Sequence, residues 1–182
     1  MVFLKYSKYR FDKQPHTYKI LILGNHEAHN NPKIETDSVI FQKYLLNFQN
    51  LTHHNIFLLQ DEAVVIEGYK IYGSSWQVQW TGTGFYKKRG SEEIKKIWNS
   101  IPQDTEILVT HSPSFGPLLD QDLKNRVLEI KPKVHIFGHV HEGNHGVIYE
   151  KHPTSFIKAC VVDDNYQISN DPFVFYLSKK ET

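Results

Sequence analysis

Five side chains in this sequence have the types and the spacing to hold a metal ion or to work beside one. The apolar run Val134-His135-Ile136-Phe137 stops at Gly138 and is followed by His139-Val140-His141. Two residues apart in extended backbone, those imidazoles share one face. Two other apolar runs end in the same manner. Tyr18 to Leu23 runs into Gly24-Asn25-His26-Glu27, and Glu106 to Val109 runs into Thr110-His111-Ser112-Pro113. Imidazole nitrogen with amide oxygen suits Mn, Fe or Zn rather than Mg or Ca. Three protein donors with positions left open make a catalytic arrangement rather than a structural one. Asn25 and His26 are adjacent, so their side chains should diverge, one as a ligand and the other as an acid beside the metal. The competing reading, a half-buried strand with surface histidines, fits any one motif alone but not the threefold recurrence.

The elements that must position these residues are legible as periodicity. Tyr18 to Leu23 is near-continuously apolar, the mark of a strand covered on both faces. Behind Thr36 and Asp37, apolar Ile40, Phe41, Tyr44, Leu45 and Phe48 predict an amphipathic helix. Asn55 to Leu59 reads as a strand, and Ala63 to Ile66 with Tyr69 to Tyr72 as a hairpin about Glu67-Gly68. Trp76 to Gly90 reads as a long loop. Ser91 caps a helix with Glu92 and Glu93 in its first turn and Ile94, Ile97, Trp98 and Ile101 as its apolar face, stopped by Pro102. A strand from Glu106 to Val109 follows, then a helix with the stripe Leu119, Leu123, Val127 and Ile130, stopped by Pro132. After the Val134 strand, Gly146 to Tyr149, Ser155 to Val162 and Phe173 to Leu177 read as strands with no helices between them, which predicts an antiparallel or mixed sheet portion at the carboxyl end. Strands and helices alternating in this way place ligands outside the carboxyl ends of the parallel strands. All three polar motifs fall there, so Asn25, His26, His111, His139 and His141 should converge on one rim.

Composition bounds the rest. A chain of 182 residues with 40% hydrophobic content can bury one sizeable core, and a single domain over 1–182 is expected, with 1–17 a poorly specified lead-in. The net charge of +1 gives no electrostatic case for a nucleic acid polymer or an anionic membrane as partner. One cysteine, Cys160, excludes an intrachain disulfide and points to a reducing, cytoplasmic setting. It also excludes a zinc deaminase, which needs Pro-Cys-x-x-Cys. Lys5 interrupts the leading apolar run before a signal peptide forms, and no run reaches transmembrane length.

Together, Gly24-Asn25-His26-Glu27, Thr110-His111 and Gly138-His139-Val140-His141 resemble the calcineurin-like metallophosphoesterase superfamily in its usual order. The likeness is closer to the metallophosphoesterase-domain-containing subfamily through Ile71-Tyr72-Gly73-Ser74-Ser75-Trp76-Gln77, Gly84-Phe85, Arg89-Gly90, the string His139 to Gly143, and Asn165-Tyr166-Gln167. It covers about Tyr18 to Leu177 and implies an α/β/β/α sandwich with mixed sheets. It implies that Asn25, His111 and His139 are ligands of one metal of a binuclear site, that His141 is a ligand of the other, and that His26 assists the leaving group or contacts the phosphoryl oxygens. A metal-activated water would attack a small phosphoester in line between two divalent ions about 3.5 to 4 Å apart.

The departures are as specific as the match. Family members begin with a strand ending Asp-x-His and continue to a Gly-Asp motif whose aspartate bridges the metals, and this sequence has neither. An N-terminally truncated version of the fold is therefore expected, holding one metal in place of two, with a sheet edge left unpaired or covered by 1–17. Three readings stand side by side: a phosphohydrolase acting on small phosphodiester or nucleotide-like substrates, a remnant that binds one metal or a mononucleotide without turnover, and an incomplete product of a longer gene. Trp76 to Arg89 is either a lid, with aromatics for a base and Lys87, Lys88 and Arg89 for phosphate, or local packing. His135 is expected in the core or behind the site. His16, His29, His53, His54, His145 and His152 are expected at the surface, and Cys160 as a small buried hydrophobe. Glu27 and Glu142 either orient neighbouring histidines or are solvated.

Overall fold

A computed structural model describes residues 14–29, 55–78, 84–116, 118–143, 145–148 and 153–178. The helix expected across Ile40 to Phe48 lies outside the described residues, as does most of the lead-in.

The strand expected from Tyr18 to Leu23 forms as β1 (Lys19–Leu21), which leads into a short helix, α1 (Asn25–His29). β1 pairs in parallel with β2 (Ile56–Leu58). The hairpin is present as β3 (Glu62–Ile66) and β4 (Tyr69–Ser74), and both turn residues take positive φ, Glu67 at 50° and Gly68 at 78°. That is the twist a two-residue hairpin demands. The long loop from Trp76 contains structure that its glycines and aromatics did not announce: β5 (Gln77–Val78) pairs in parallel with β6 (Tyr86–Lys87).

Next come α2 (Glu92–Asn99), β7 (Ile107–Thr110), α3 (Gln121–Ile130), β8 (Val134–Phe137), β9 (Gly146–Ile148) and β10 (Ser155–Lys158). Ser91 caps α2 by accepting from Ile94 N. Asp120 caps α3, so Leu119 precedes that helix rather than belonging to its stripe. Lys131, at φ 50°, closes α3 in a left-handed turn before Pro132. The carboxyl end is shorter in strand than its composition suggests. β10 stops at Lys158, Val162 makes a single bridge to Ile168, and Phe173 to Leu177 forms no strand. Among those five residues Val174 is 70% and Tyr176 92% exposed. Apolar content produces a strand only where a partner edge and a core face are on offer.

Six strands form one mixed sheet in the order β3-β4-β7-β8-β10-β9. Its inner four strands run parallel, and the two outer ones are antiparallel to their neighbours. One face carries Tyr72, Leu108, Phe137 and Phe156 and packs on α2 and α3 through Ile94, Trp98, Leu123 and Val127. The opposite face, with Ile71, Ile107, Val109 and Ile136, meets Ile20, Ile22, Phe57 and Leu59 of the β1–β2 segment. Two sheets therefore face each other with helices behind the larger one. Each fully buried Leu, Ile, Val or Phe in these layers contributes about 1.5–3 kcal/mol. Among the described residues, no helix is long and apolar enough to cross a membrane.

Asp120 joins the two helices: its Oδ2 accepts from Trp98 Nε1 at 2.7 Å and its Oδ1 from Asp122 N and Leu123 N. Asp120→Ala removes a cap worth about 1 kcal/mol and strands a buried indole N–H at a cost of about 1–3 kcal/mol. Urea unfolding should record a loss of about 2–4 kcal/mol, with only part of it recovered in Asp120→Asn, whose single amide oxygen can accept at the cap or from the indole but not at both. A loss below about 0.5 kcal/mol would show that the cap and the Trp98 bond are unimportant.

Candidate metal centre

Parallel strands bring their carboxyl ends to one edge, and the polar motifs follow immediately. β1 delivers Asn25 and His26, β7 delivers His111, β8 delivers His139 and His141, and β10 leads into a turn around Asp163 and Tyr166. The two sheets are pinned at this edge. Leu23 N donates to Ser75 Oγ at 3.0 Å, and Asn25 Oδ1 lies 2.8 Å from His111 Nε2. Two glycines permit the approach. A Cβ on Gly24 would stand 2.6 Å from His111 Cε1, and one on Gly84, whose φ is 90°, would stand 2.3 Å from the Asn25 carbonyl oxygen.

His111 and His139 are in contact, with ring centroids 4.6 Å apart. His139 sits at φ 68°, and Val140 N donates to Gly138 O at 2.8 Å across it. This is a γ-turn of the rare, strained hand. His141 Nδ1 lies 2.9 Å from Asp163 O. A carbonyl only accepts, so Nδ1 carries the proton and the lone pair is left on Nε2, the arrangement that prepares a histidine as a metal ligand. His26 packs edge-on against Tyr166, with ring centroids 5.5 Å apart. The five expected residues are thus gathered at one edge. His26 and His141 both lie close enough to act electrostatically on His111 and His139.

Burial, and then the neighbouring His139, His26 and His141, depress His111 to about 3. Burial, then His141 and His26, depress His139 to about 4. His111 and His139 are therefore neutral at pH 7, each with a lone pair available.

Whether these donors fit a cation is decided by one contact. His111 Nε2 stands 2.8 Å from Asn25 Oδ1 and 3.4 Å from Asn25 N–H. As donor to the amide oxygen it must be protonated; as acceptor from the backbone it must be bare. The shorter contact is met by Nε2–H donating to Oδ1, and a cation would take the place of that proton between two acceptor atoms. The spacing is also close to the roughly 2.9 Å expected between donors at right angles about an ion with bonds of about 2.05 Å. Asn25 and His111 meet at this spacing, and the His139 ring lies against His111. All three are neutral, and among the described residues no group of three or more His, Cys, Asp or Glu surrounds a single point. A cavity of about 280 Å³ opens beside His111, lined by Ile22, Val109 and Ile136 and by Glu27. Glu27 accepts from Gly24 N at 2.7 Å, so it braces its own turn.

His135 is fully buried behind the site. Thr110 Oγ1 donates to Ser112 O, so it accepts from His135 Nε2–H at 2.9 Å; Ser114 Oγ then donates to the bare Nδ1, also at 2.9 Å. His135 therefore holds both ends of the loop that carries His111. The described residues at the two ends of the Trp76 to Arg89 stretch are packed against the body of the protein. Trp76 donates to Asp61 Oδ2, packs against Phe85 and lies under Lys87 Nζ, while Arg89 bonds Leu119 O. Trp80 lies outside the described residues. Glu142 contributes its carbonyl oxygen to the buried Lys158 ammonium. Cys160 is buried, and Sγ donates to Val162 O. Asp163, Ser114 and Thr110 were missed as supports because their signal is a hydrogen bond formed only in the fold.

With the sandwich, the strand-end edge and its Asn and His donors in place, the family follows: this chain belongs to the calcineurin-like phosphoesterase family, whose model matches residues 2–143. It is 36% identical over 186 residues to metallophosphoesterase domain-containing protein 1 of Homo sapiens, and equally to that of Mus musculus, covering 90% of this chain and 56% of those proteins. A UPF0046 protein of Caenorhabditis elegans is 37% identical over 178 residues, covering 91% of this chain and 59% of its own. The chain spans a little over half the length of these curated relatives.

Two outcomes follow from this geometry. An unfolded histidine titrates near 6.5, whereas folded His135 is held by burial to about 3. The folded state binds fewer protons in that window, so stability is complete above pH 6.5 and falls as pH drops toward 3. At pH 5 the loss from His135 is about 2 kcal/mol. His135→Gln should be less stable at pH 8 yet lose less between pH 8 and pH 5; an equally steep acid loss would rule His135 out as a contributor. The second concerns His139→Gly, which relieves the γ-turn. Unfolding should show stability unchanged or higher, while Mn affinity by calorimetry falls more than about tenfold. Unchanged affinity would remove His139 from the donor set.

Proposed function

We infer that the chain acts, as a single domain, in metal-dependent phosphoester hydrolysis, and that its substrate is a small phosphodiester or nucleotide-like ester. The meeting of Asn25 and His111 across two sheets, with His139 against them, carries this reading. Asn25 Oδ1, His111 Nε2 and His139 would hold a divalent transition metal, Mn, Fe or Zn, and His141 Nε2 stands ready beside them. When bound, such a metal supplies Lewis acidity and lowers the pKa of a coordinated water toward 7. The protein's own part is placement and protonation. Neutral imidazoles keep their lone pairs at pH 7, the γ-turn aims His139, and Asp163 O fixes the His141 tautomer. His26 is solvent-exposed beside Asn25, where it can contact phosphoryl oxygens or pass a proton to the departing oxygen.

A second reading is favoured by the absence of any carboxylate from this donor set. Neutral donors bind a cation more weakly, and binding without turnover follows if no carboxylate completes the site.

Bis(4-nitrophenyl) phosphate hydrolysis by the purified chain with added Mn separates the two, with His111→Ala beside it. Metal-dependent release of 4-nitrophenol that drops by at least about 100-fold in His111→Ala is the expected result. Mn binding by calorimetry without turnover would establish the second reading, and turnover unaffected by His111→Ala would overturn the site.

A further inference from the structure

We propose that Tyr166 is the recognition surface for the organic group of the ester, and that the group it recognises is a flat aromatic ring. The inference rests on the phosphoester reading above and specifies its substrate class. Tyr166 lies in the turn that follows β10, the fourth parallel strand to end at this edge. Its ring is edge-on to both exposed-side imidazoles, with centroids 5.5 Å from His26 at 83° and 5.2 Å from His141 at 84°. It is nonetheless 62% exposed. A tyrosine kept only for packing would bury its ring. This one leaves most of its surface open while touching both His26 and His141.

The backbone beneath it is built for the purpose. Asp163 Oδ1 accepts from Asn165 N and Gln167 N, both at 2.9 Å, and Tyr166 N donates to Asp163 O. The same carbonyl oxygen takes the His141 Nδ1 proton, so the turn and the imidazole are registered to one atom. Tyr166 itself has φ 58°, a conformation in which Asn or Gly is at ease and a bulky residue is strained. Asn165, one residue earlier, could have taken that position. Strain held by surrounding hydrogen bonds at the mouth of a site is the pattern of a functional constraint. A ring fixed beside His26 and His141, with surface left to solvent, offers an aromatic ester group edge or face contact once its phosphate is held at the histidines. Stacking of this kind changes affinity by roughly 5- to 150-fold.

The test compares phenyl phosphate with methyl phosphate, measured as dissociation constants on the intact chain with Mn present. The unmodified chain should prefer phenyl phosphate by about tenfold or more. Tyr166→Phe should keep that preference. Tyr166→Asn, which suits the left-handed backbone, should reduce it to within about twofold while leaving methyl phosphate affinity unchanged. An undiminished preference in Tyr166→Asn overturns the assignment of Tyr166 alone. An equal loss of both ligands also overturns it, because Tyr166 would then be acting only by holding His141. Failure of the unmodified chain to bind either phosphate overturns the phosphoester reading and this inference with it.

Discussion

The site depends on how closely two sheets approach at their carboxyl edge. Asn25 follows β1 and His111 follows β7, strands of different sheets, yet Oδ1 and Nε2 stand 2.8 Å apart. The approach needs bare backbone on both sides, which Gly24 provides beneath the His111 ring and Gly84 above the Asn25 carbonyl. Gly84 is held there by Gln77, whose Nε2 donates to its carbonyl oxygen at 2.8 Å and whose backbone N bonds Phe85 O. The apolar seam of Ile20, Ile22 and Phe57 against Ile71, Ile107 and Val109 sets the same spacing from below. Packing energy and chemistry therefore share one coordinate: a shift of the sheets that relaxed the seam would part the donors.

Charge acts in the same direction as geometry. Burial first, and then the neighbouring imidazoles, make protonation of His111 and His139 costly. The result is a pocket rich in neutral lone pairs, complementary to a cation. Among the described residues, the one carboxylate lining this cavity is Glu27, and its Oε2 is engaged by Gly24 N.

Strand positions, the hairpin and both amphipathic helices were legible because they rest on local rules: apolar periodicity, an Asn- or Ser-type cap, a turn that tolerates positive φ. The convergence of Asn25, His26, His111, His139 and His141 was legible for a topological reason, since parallel strands put all their carboxyl ends on one edge. What escaped was non-local. The aromatics of Trp76 to Phe85 signal either a lid or packing, and for Trp76 it is the bond from Nε1 to Asp61, a residue before β3, that shows packing. Phe173 to Leu177 has the composition of a strand but pairs with no strand among the described residues. His135 reads as a core histidine, yet its bracket by Thr110 and Ser114, which makes it a support for His111, depends on a register between β7 and β8 that no local pattern encodes. Tyr166 carried no signal of its own beyond a short string shared with the subfamily.

Backbone strain marks the same edge independently of any side-chain chemistry. Among the described residues, the non-glycine positions with positive φ are Asp61, Glu67, Phe85, Lys131, His139 and Tyr166. Glu67 and Lys131 are ordinary in this respect, one in a two-residue hairpin and the other closing a helix. The other four gather at the carboxyl edge: Asp61 braces Ser74 and Trp76, Phe85 follows the glycine packed on Asn25, His139 occupies the γ-turn, and Tyr166 faces His26 and His141. Each such residue costs about 1–3 kcal/mol, and a fold shaped for stability alone would have Gly or Asn there. The helix-covered core of Ile94, Trp98, Leu123 and Val127 carries no comparable strain, and it supplies the stability against which the edge is distorted. Stability on one side of the six-stranded sheet and strain at its carboxyl edge is the division of labour expected when donors must be held in place before a ligand arrives, because a site free to relax would lose affinity in proportion to the time it spent out of position.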